Sequence, residues 1–411
     1  MQNKVSFSLI MHSICMQGKN KKLPWEDSKM KIKSVGIICA ALMMSGTVSI
    51  AAAGEVKLPK NMSWTAYNTG TTGYNQSVAI GKALKDKYDV TLRVVPGKND
   101  ISRLTPIKAG KIDYSANGIA TFFASEGVFQ FADPAWGPMP VRVLLSASGS
   151  AGLSVAVAAD KGIKTYADLK GKRVAYVRGG DALNVGIEGM LACGGLTWAD
   201  VEKVEFPGYG AAWEGMVNDQ VDAMFASTLS GPTKKLEASP RGIYWPPTPK
   251  DDSKCWAGIK KAAPYFVPKM ITKGTGISDE KPYEGPAYPY PILMTLDKQD
   301  KNEVYSLTRA LVEEYKNYSE AEPAAKGWAI GNQILDWVVP FHDGAVTYFK
   351  EAGVWTAAHQ THNDKLVERQ KVLAGAWSKM DMKLEGDAFA AKWLEARSAA
   401  LEKAGFDPIW K

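Results

Sequence analysis

Residues able to do covalent chemistry are few and scattered. Past residue 53 the histidines are His342, His359 and His362. His359 and His362 would share one helix face and could present two imidazoles to a metal. No nearby Cys, Asp or Glu has the spacing that completes a zinc site, so they read as surface polar residues. His342-Asp343 follows Pro340 and precedes a run of helical spacing from Ala345. That is the place of a helix cap or turn, and no nucleophile is tied to it. The G-x-S-x-G elbow, H-E-x-x-H and the phosphate loop G-x-x-x-x-G-K-[ST] are absent. What remains is a set of polar, donor-rich loops, the inventory of a binder with neither catalytic residues nor a cofactor.

Two of these loops have the same construction. A short apolar strand (Trp64, Ala66) runs into Gly70 and Gly73, and a helix follows with Val78, Ile80, Ala83 and Leu84 on one face and Lys82 and Lys85 on the other. The strand 174–177 runs into Gly179-Gly180-Asp181, and a helix over 182–193 stops at Gly194-Gly195. Each turn leaves backbone N–H groups at the positive end of a helix dipole, which favours an anion. Each also reads as a sharp strand-to-helix turn that needs glycine for its backbone angles, and the stretch alone leaves both readings open.

The chain has 411 residues, with 45% hydrophobic, 23% charged and 13 Trp, room for two or more domains. From Met30 it carries Lys31 and Lys33, an apolar stretch from Val35 to Ile50 and Ala51-Ala52-Ala53. This is the anatomy of a secretory signal peptide cleaved after Ala53, which implies export. Residues 1–29 show no hydrophobic periodicity, and Met30 is itself a possible start. The formal charge of +7 belongs mostly to the leader. Residues 1–53 hold seven Lys against Glu26 and Asp27, leaving 43 basic and 41 acidic residues. No Lys/Arg cluster remains to argue for nucleic acid. Cys193 and Cys255 also remain, and a disulfide and two buried thiols both stay open.

Strands are expected near 62–66, 88–95, 112–115, 141–147, 153–159, 174–177, 201–206 and 221–226, with helices between many of them. This alternation predicts an α/β chain with open, mostly parallel sheets. Residues 245–291, rich in Pro, Lys and Tyr, read as extended loops. Tyr288-Pro289-Tyr290-Pro291 leads into a strand at 292–295 that returns to the first sheet. From 302 onward the chain reads as helical, including 324–335, 366–380 and 388–404.

These residues resemble the TAXI-type solute receptors of tripartite ATP-independent periplasmic (TRAP) transporters. The matching pieces are N-T-G-T-T-G-Y at 68–74, P-G-K-N-D-I-S-R-L at 96–104 and Ile112-Asp113-Tyr114 with the turn at 116–118. Y-A-D-L-K-G-K-R-V-A at 166–175, V-D-A-M-F-A with Gly231-Pro232, and V-P-F-H-D-G-A-V-T-Y-F-K-E-A-G at 339–353 complete the match, which runs over about 62–355. The resemblance implies a bilobal periplasmic binding protein (type II-like), two open sheets joined by a hinge, with a helical C-terminal region. Lobe I would be 54–150 with 290–360, lobe II 151–289, and 361–411 an extension past the usual end.

The implied function is capture of a small anionic or zwitterionic solute, an organic acid or amino acid, and its delivery to a TRAP permease driven by an ion gradient. A receptor for an ATP-driven importer, or a sensor, is the alternative; an enzyme on this scaffold is disfavoured by the missing nucleophile and base. Carried over by position, the ligand would meet Asn68, Thr69, Gly70, Thr71, Thr72 and Tyr74 of the first loop. Lys98, Asn99 and Arg103 of the second turn, and Asn117 and Gly118 of the third, would join them. The other lobe would supply Arg178, Gly180, Asp181 and Ala182, with Ser227, Thr228 and Ser230. Arg103 and Arg178 are the candidates for pairing with a carboxylate. Where this chain has Gly180-Asp181-Ala182, the resembled family usually has small polar residues. An acid there competes with a ligand carboxylate, or reads an amine or hydroxyl instead.

Overall fold

In the computed structural model, residues 55–149 and 151–411 are described. The signal-peptide reading at 30–53 lies outside the described residues. Strand β1 (Asn61–Ala66) leads to helix α1 (Thr72–Tyr88), then β2 (Thr91–Pro96), α2 (Asp100–Lys108), β3 (Tyr114–Asn117), α3 (Ala120–Glu126) and β4 (Val141–Ser146). The chain continues through β5 (Leu153–Ala158), β6 (Arg173–Val177), α4 (Asp181–Cys193), β7 (Glu202–Phe206), α5 (Tyr209–Val217), β8 (Ala223–Ser227), α6 (Gly231–Ala238) and β9 (Ile243–Tyr244). Then come α7 (Ser253–Ala262), the hairpin β10 (Val267–Ile271) and β11 (Tyr283–Ala287), β12 (Ile292–Leu296), α8 (Lys301–Glu313) and α9 (Tyr315–Ala321). The last helices are α10 (Asp343–Glu351), α11 (Ala357–Trp377) and α12 (Gly386–Lys403).

Local chemistry explains the boundaries that matter for the site. Helix α1 buries Gln76, Ile80, Ala83 and Leu84, and its last turn carries Lys85 and Lys87, which suit the negative end of the dipole. Helix α2 starts in a capping box: Asn99 Oδ1 accepts the N–H of Ser102 at 2.8 Å, and Ser102 Oγ accepts the N–H of Asn99 at 3.1 Å. Helix α10 is capped by His342, whose Nδ1 accepts the Gly344 N–H at 3.1 Å.

Among the described residues the strands form two five-stranded sheets, β2-β1-β3-β12-β4 and β7-β6-β8-β5-β9, and the separate hairpin. In the first, β1 runs parallel to β2 and β3, and the returning β12 is antiparallel to β3 and β4. In the second, β6 is parallel to β7 and β8, and β5 is antiparallel to β8. This is the type II-like bilobal fold of periplasmic binding proteins. The chain crosses between the sheets from β4 to β5 and from β11 to β12. The two crossings pair where Ala147 N–H donates to Pro291 O at 2.8 Å and Tyr290 N–H to Ala147 O at 2.7 Å.

Two local expectations are corrected. Residues 245–291 are not simply extended loops: they hold α7 and the hairpin. Asp252 caps α7 by accepting the Cys255 N–H at 3.0 Å, and Cys255 is disulfide-bonded to Cys193 at the end of α4. The stretch 324–335 is not an α-helix but two short 3-10 turns, Pro323–Trp328 and Ile330–Asn332. Gly327 packs its backbone on Ser148 and Gly149, and the Gln333 side chain pairs instead with the backbone N and O of Ser146, at 2.8 and 2.9 Å.

Helices α11 and α12 pack on α3 around a buried charge cluster. Glu126 accepts from Arg369 Nε and Nη2, both at 2.7 Å, and pairs with Arg397 Nη2. A small apolar cluster of Ala132, Leu373, Phe389, Trp393 and Leu401 lies beside it. His359 closes the capping box of α11, and His362 Nε2 lies 2.7 Å from Trp337 O, so both rings serve local structure.

Candidate functional site

The loops that follow β1, β2, β3, β6, β7 and β8 leave the carboxyl ends of those strands and face one another, the place where open α/β sheets bind ligands. Hydrogen bonds already join the two faces. Asp100 N–H donates to Gly179 O at 3.0 Å, Gly231 N–H to Gly70 O at 3.2 Å and Tyr209 N–H to Lys98 O at 3.3 Å. Asn99 Nδ2 reaches Arg178 O at 3.0 Å, and Thr72 Oγ1 reaches Ser227 Oγ at 3.2 Å. The cleft is closed.

Between the faces lies a small cavity of about 20 Å³, room for about one water molecule with the cleft closed. Thr71, Ala182, Ser227 and Ser230 line it, four of the residues the sequence singled out. The rest of the wall is aromatic and apolar: Tyr67, Tyr209, Tyr288 and Tyr290 with Leu153, Leu183, Phe225 and Ala226. Tyr67 and Tyr290 meet edge to face at 5.3 Å, and the Tyr209 and Ser230 hydroxyls lie 3.0 Å apart. Burial raises the pKa of Tyr67, Tyr209 and Tyr290, so these phenols stay neutral donors. Thr72 and Ser227 line a neighbouring cavity of about 80 Å³ that reaches Lys269. Asn68, Thr69 and Lys98 line an outer groove with Tyr209 and Trp213.

Beneath the cavity, the Arg103 guanidinium sits 3.6 Å from the Tyr67 ring centroid. Its Nε donates to Asn117 Oδ1 at 3.0 Å and its Nη2 pairs with Asp100. Gly118 is required here, because a Cβ would fall 2.3 Å from the Tyr67 hydroxyl. Asp100 Oδ2 crosses the cleft and accepts the Ala182 N–H in the first turn of α4 at 2.7 Å. Burial raises the Asp100 pKa, opposed by Arg103 and by the Ala182 N–H. Asp181 turns to the Gln130 N–H at 2.9 Å; burial first, and then the Asp100 charge, push its pKa up to about 7. Asn68 Oδ1, Asn117 Nδ2 and Tyr265 Oη are buried without a protein partner. Buried polar atoms of that kind call for a guest or water.

The remaining sequence candidates are placed differently. Gly70 and Asn99 bridge the two faces, and Gly180 O accepts the Leu183 and Asn184 N–H groups of α4. The Arg178 side chain is exposed, and only its carbonyl reaches across. Tyr74 is half-buried on α1 and lines neither the cavities nor the groove. Thr228 ties loops together, accepting the Gly152 N–H at 3.1 Å and donating to Lys273 O at 3.0 Å. The four tyrosines were not among the candidates. Tyr288 and Tyr290, alternating with proline, carried a signal that reading them only as a lead-in to a strand passed over.

Fold and site together define a two-lobed α/β architecture whose strand-end loops meet across a closed cleft. The chain belongs to the NMT1-like family, whose family model matches residues 65–353. It is similar to the alkanesulfonate-binding protein SsuA from Xanthomonas axonopodis pv. citri bound to MOPS, at 14% identity, 86% coverage of this chain, 96% of that one and a TM-score of 0.43. It is also similar to the periplasmic aliphatic sulphonate binding protein SsuA from Escherichia coli, at 14% identity, 85% and 89% coverage and a TM-score of 0.35. An amino acid ABC transporter substrate-binding protein from Streptococcus pneumoniae bound to L-arginine matches at 14% identity, 65% and 94% coverage and a TM-score of 0.39.

Proposed function

We propose that this chain is an exported solute receptor that closes on a small organic acid or amino acid and delivers it to a TRAP permease driven by an ion gradient. In this reading 54–150 with 290–360 forms one lobe, 151–289 the other, and 361–411 an extension braced on the first. The observation that carries it is the convergence of strand-end loops from both sheets on one cavity walled by tyrosine, serine and threonine. Such a wall recognises a small solute through hydroxyl donors and aromatic packing, and its closing faces bury the guest. The TRAP assignment and the solute class rest on the sequence resemblance. Catalysis has no part in the proposal.

Mass spectrometry of small molecules released from protein purified from its native periplasm tests the receptor reading. The expected result is one small solute that rebinds stoichiometrically to the emptied protein. Uptake by vesicles carrying the cognate permease should need an ion gradient and no ATP. Uptake that requires ATP hydrolysis would replace the TRAP reading with that of an ATP-driven importer.

A further inference from the structure

Two features of this cleft are suited to a solute carboxylate: the N-terminus of α4 and the guanidinium of Arg103. Both are already taken by one side chain of the protein itself. Asp100, 1% exposed, places Oδ2 at 2.7 Å from the Ala182 N–H and Oδ1 on Arg103 Nη2. Arg103, 2% exposed, is held in turn by Asn117 through Nε. The arrangement is that of a bound carboxylate whose carrier is α2, on the opposite face of the cleft.

We propose that Asp100 is a tethered occupant of the anion seat on α4, and that it selects for solutes that bring no carboxylate to that seat. The consequence for solute class rests on the receptor reading above. A second carboxylate at the seat would meet Asp100, with Asp181 alongside, and find the nearby cation already paired. Helix α1 is the contrast: its first turn carries no acid, and Thr71 and Thr72 stand at its start. The class this leaves is an uncharged or singly charged solute. Its one carboxylate, if present, faces α1, and its hydroxyl or carbonyl groups face the serine and tyrosine wall. Dicarboxylates bridging both helices are excluded.

The test is chemical rescue with acetate, which reproduces the aspartate head group. Thermal melting of the full mature chain is followed against acetate, with chloride as the ionic-strength control. Asp100→Ala should be stabilised by acetate at roughly tenfold or more lower concentration than the wild type. An equal response of the two proteins, or none in the variant, would overturn the proposal. Should Asp100→Ala not fold, the double variant Asp100→Ala/Arg103→Gln removes the unpaired cation and takes the same titration, read the same way. Tight binding of succinate by the wild type, with a carboxylate on the Ala182 N–H, would also overturn it. Acetate rescue in a protein that carries and binds no solute leaves Asp100 in its seat and removes the receptor reading. A captured dicarboxylate does the reverse.

Discussion

Asp181 and Glu126 show what burial does to single carboxylates in this chain. Asp181 has a folded pKa of about 7 against an ordinary 3.8. Below about pH 4 it is protonated in both folded and unfolded chains and does not affect folding. As pH rises toward 7, the unfolded chain ionises while the folded one keeps its proton, so stability falls through that window and levels off above it. Asp181→Asn should therefore gain roughly 2 to 4 kcal/mol over the wild type above pH 7, with the gap closing below pH 4, read from urea unfolding at several pH values. Glu126 is a buried acid that holds two arginines. Glu126→Gln leaves Arg369 and the fully buried Arg397 short of a counter-charge. It should lower stability by about 3 to 5 kcal/mol in equilibrium unfolding.

At the scale of elements, the disulfide between Cys193 and Cys255 joins the end of α4 to the start of α7, 62 residues apart. Closing a loop of that length restricts the unfolded chain, and replacing both cysteines by serine should cost roughly 4 kcal/mol, measured by urea unfolding under oxidising conditions. Reductant should lower the wild type toward the variant and leave the variant unchanged. The same link explains why α7 was hard to read. Its run is amphipathic but short, and its position depends on Cys193, which the sequence alone could not bring within bonding range. By contrast, β1 and α1 were legible, because the strand's apolar residues, Gly70 and the helical spacing from Val78 are local signals. The stretch 324–335 misled for the converse reason: it had helical spacing, but Gly327 lies against the Ser148–Gly149 backbone and Gln333 is drawn to Ser146. Thr71, Ser227 and Ser230 entered as candidates through the sequence resemblance, which carried them over by position, and they lie on strand-end turns that line the cavity. Tyr288 and Tyr290 were not among those candidates, since they sit on a crossing between sheets some 220 residues from Tyr67.

For the whole molecule the relevant variable is closure. Gly231 meets Gly70 across the cleft, and a Cβ at 231 would fall 2.6 Å from the Gly70 carbonyl oxygen. Two backbones cannot give way as a flexible side chain can. Gly231→Ala should hold the faces apart, enlarge the radius of gyration seen by small-angle X-ray scattering, and weaken solute binding by about tenfold or more. Binding as tight as that of the wild type, in a particle of unchanged size, would show that this contact does not govern closure. The alternation of strands and helices, the glycine-bearing turns and the cap at His342 were determined by the sequence itself, because each depends on neighbours within a few residues. What Arg103 binds, where Arg178 points and who occupies the α4 N-terminus were decided only by tertiary structure. Those outcomes depend on which charges meet across a closed cleft, and that meeting brings Asp100 to Ala182, 82 residues further along the chain.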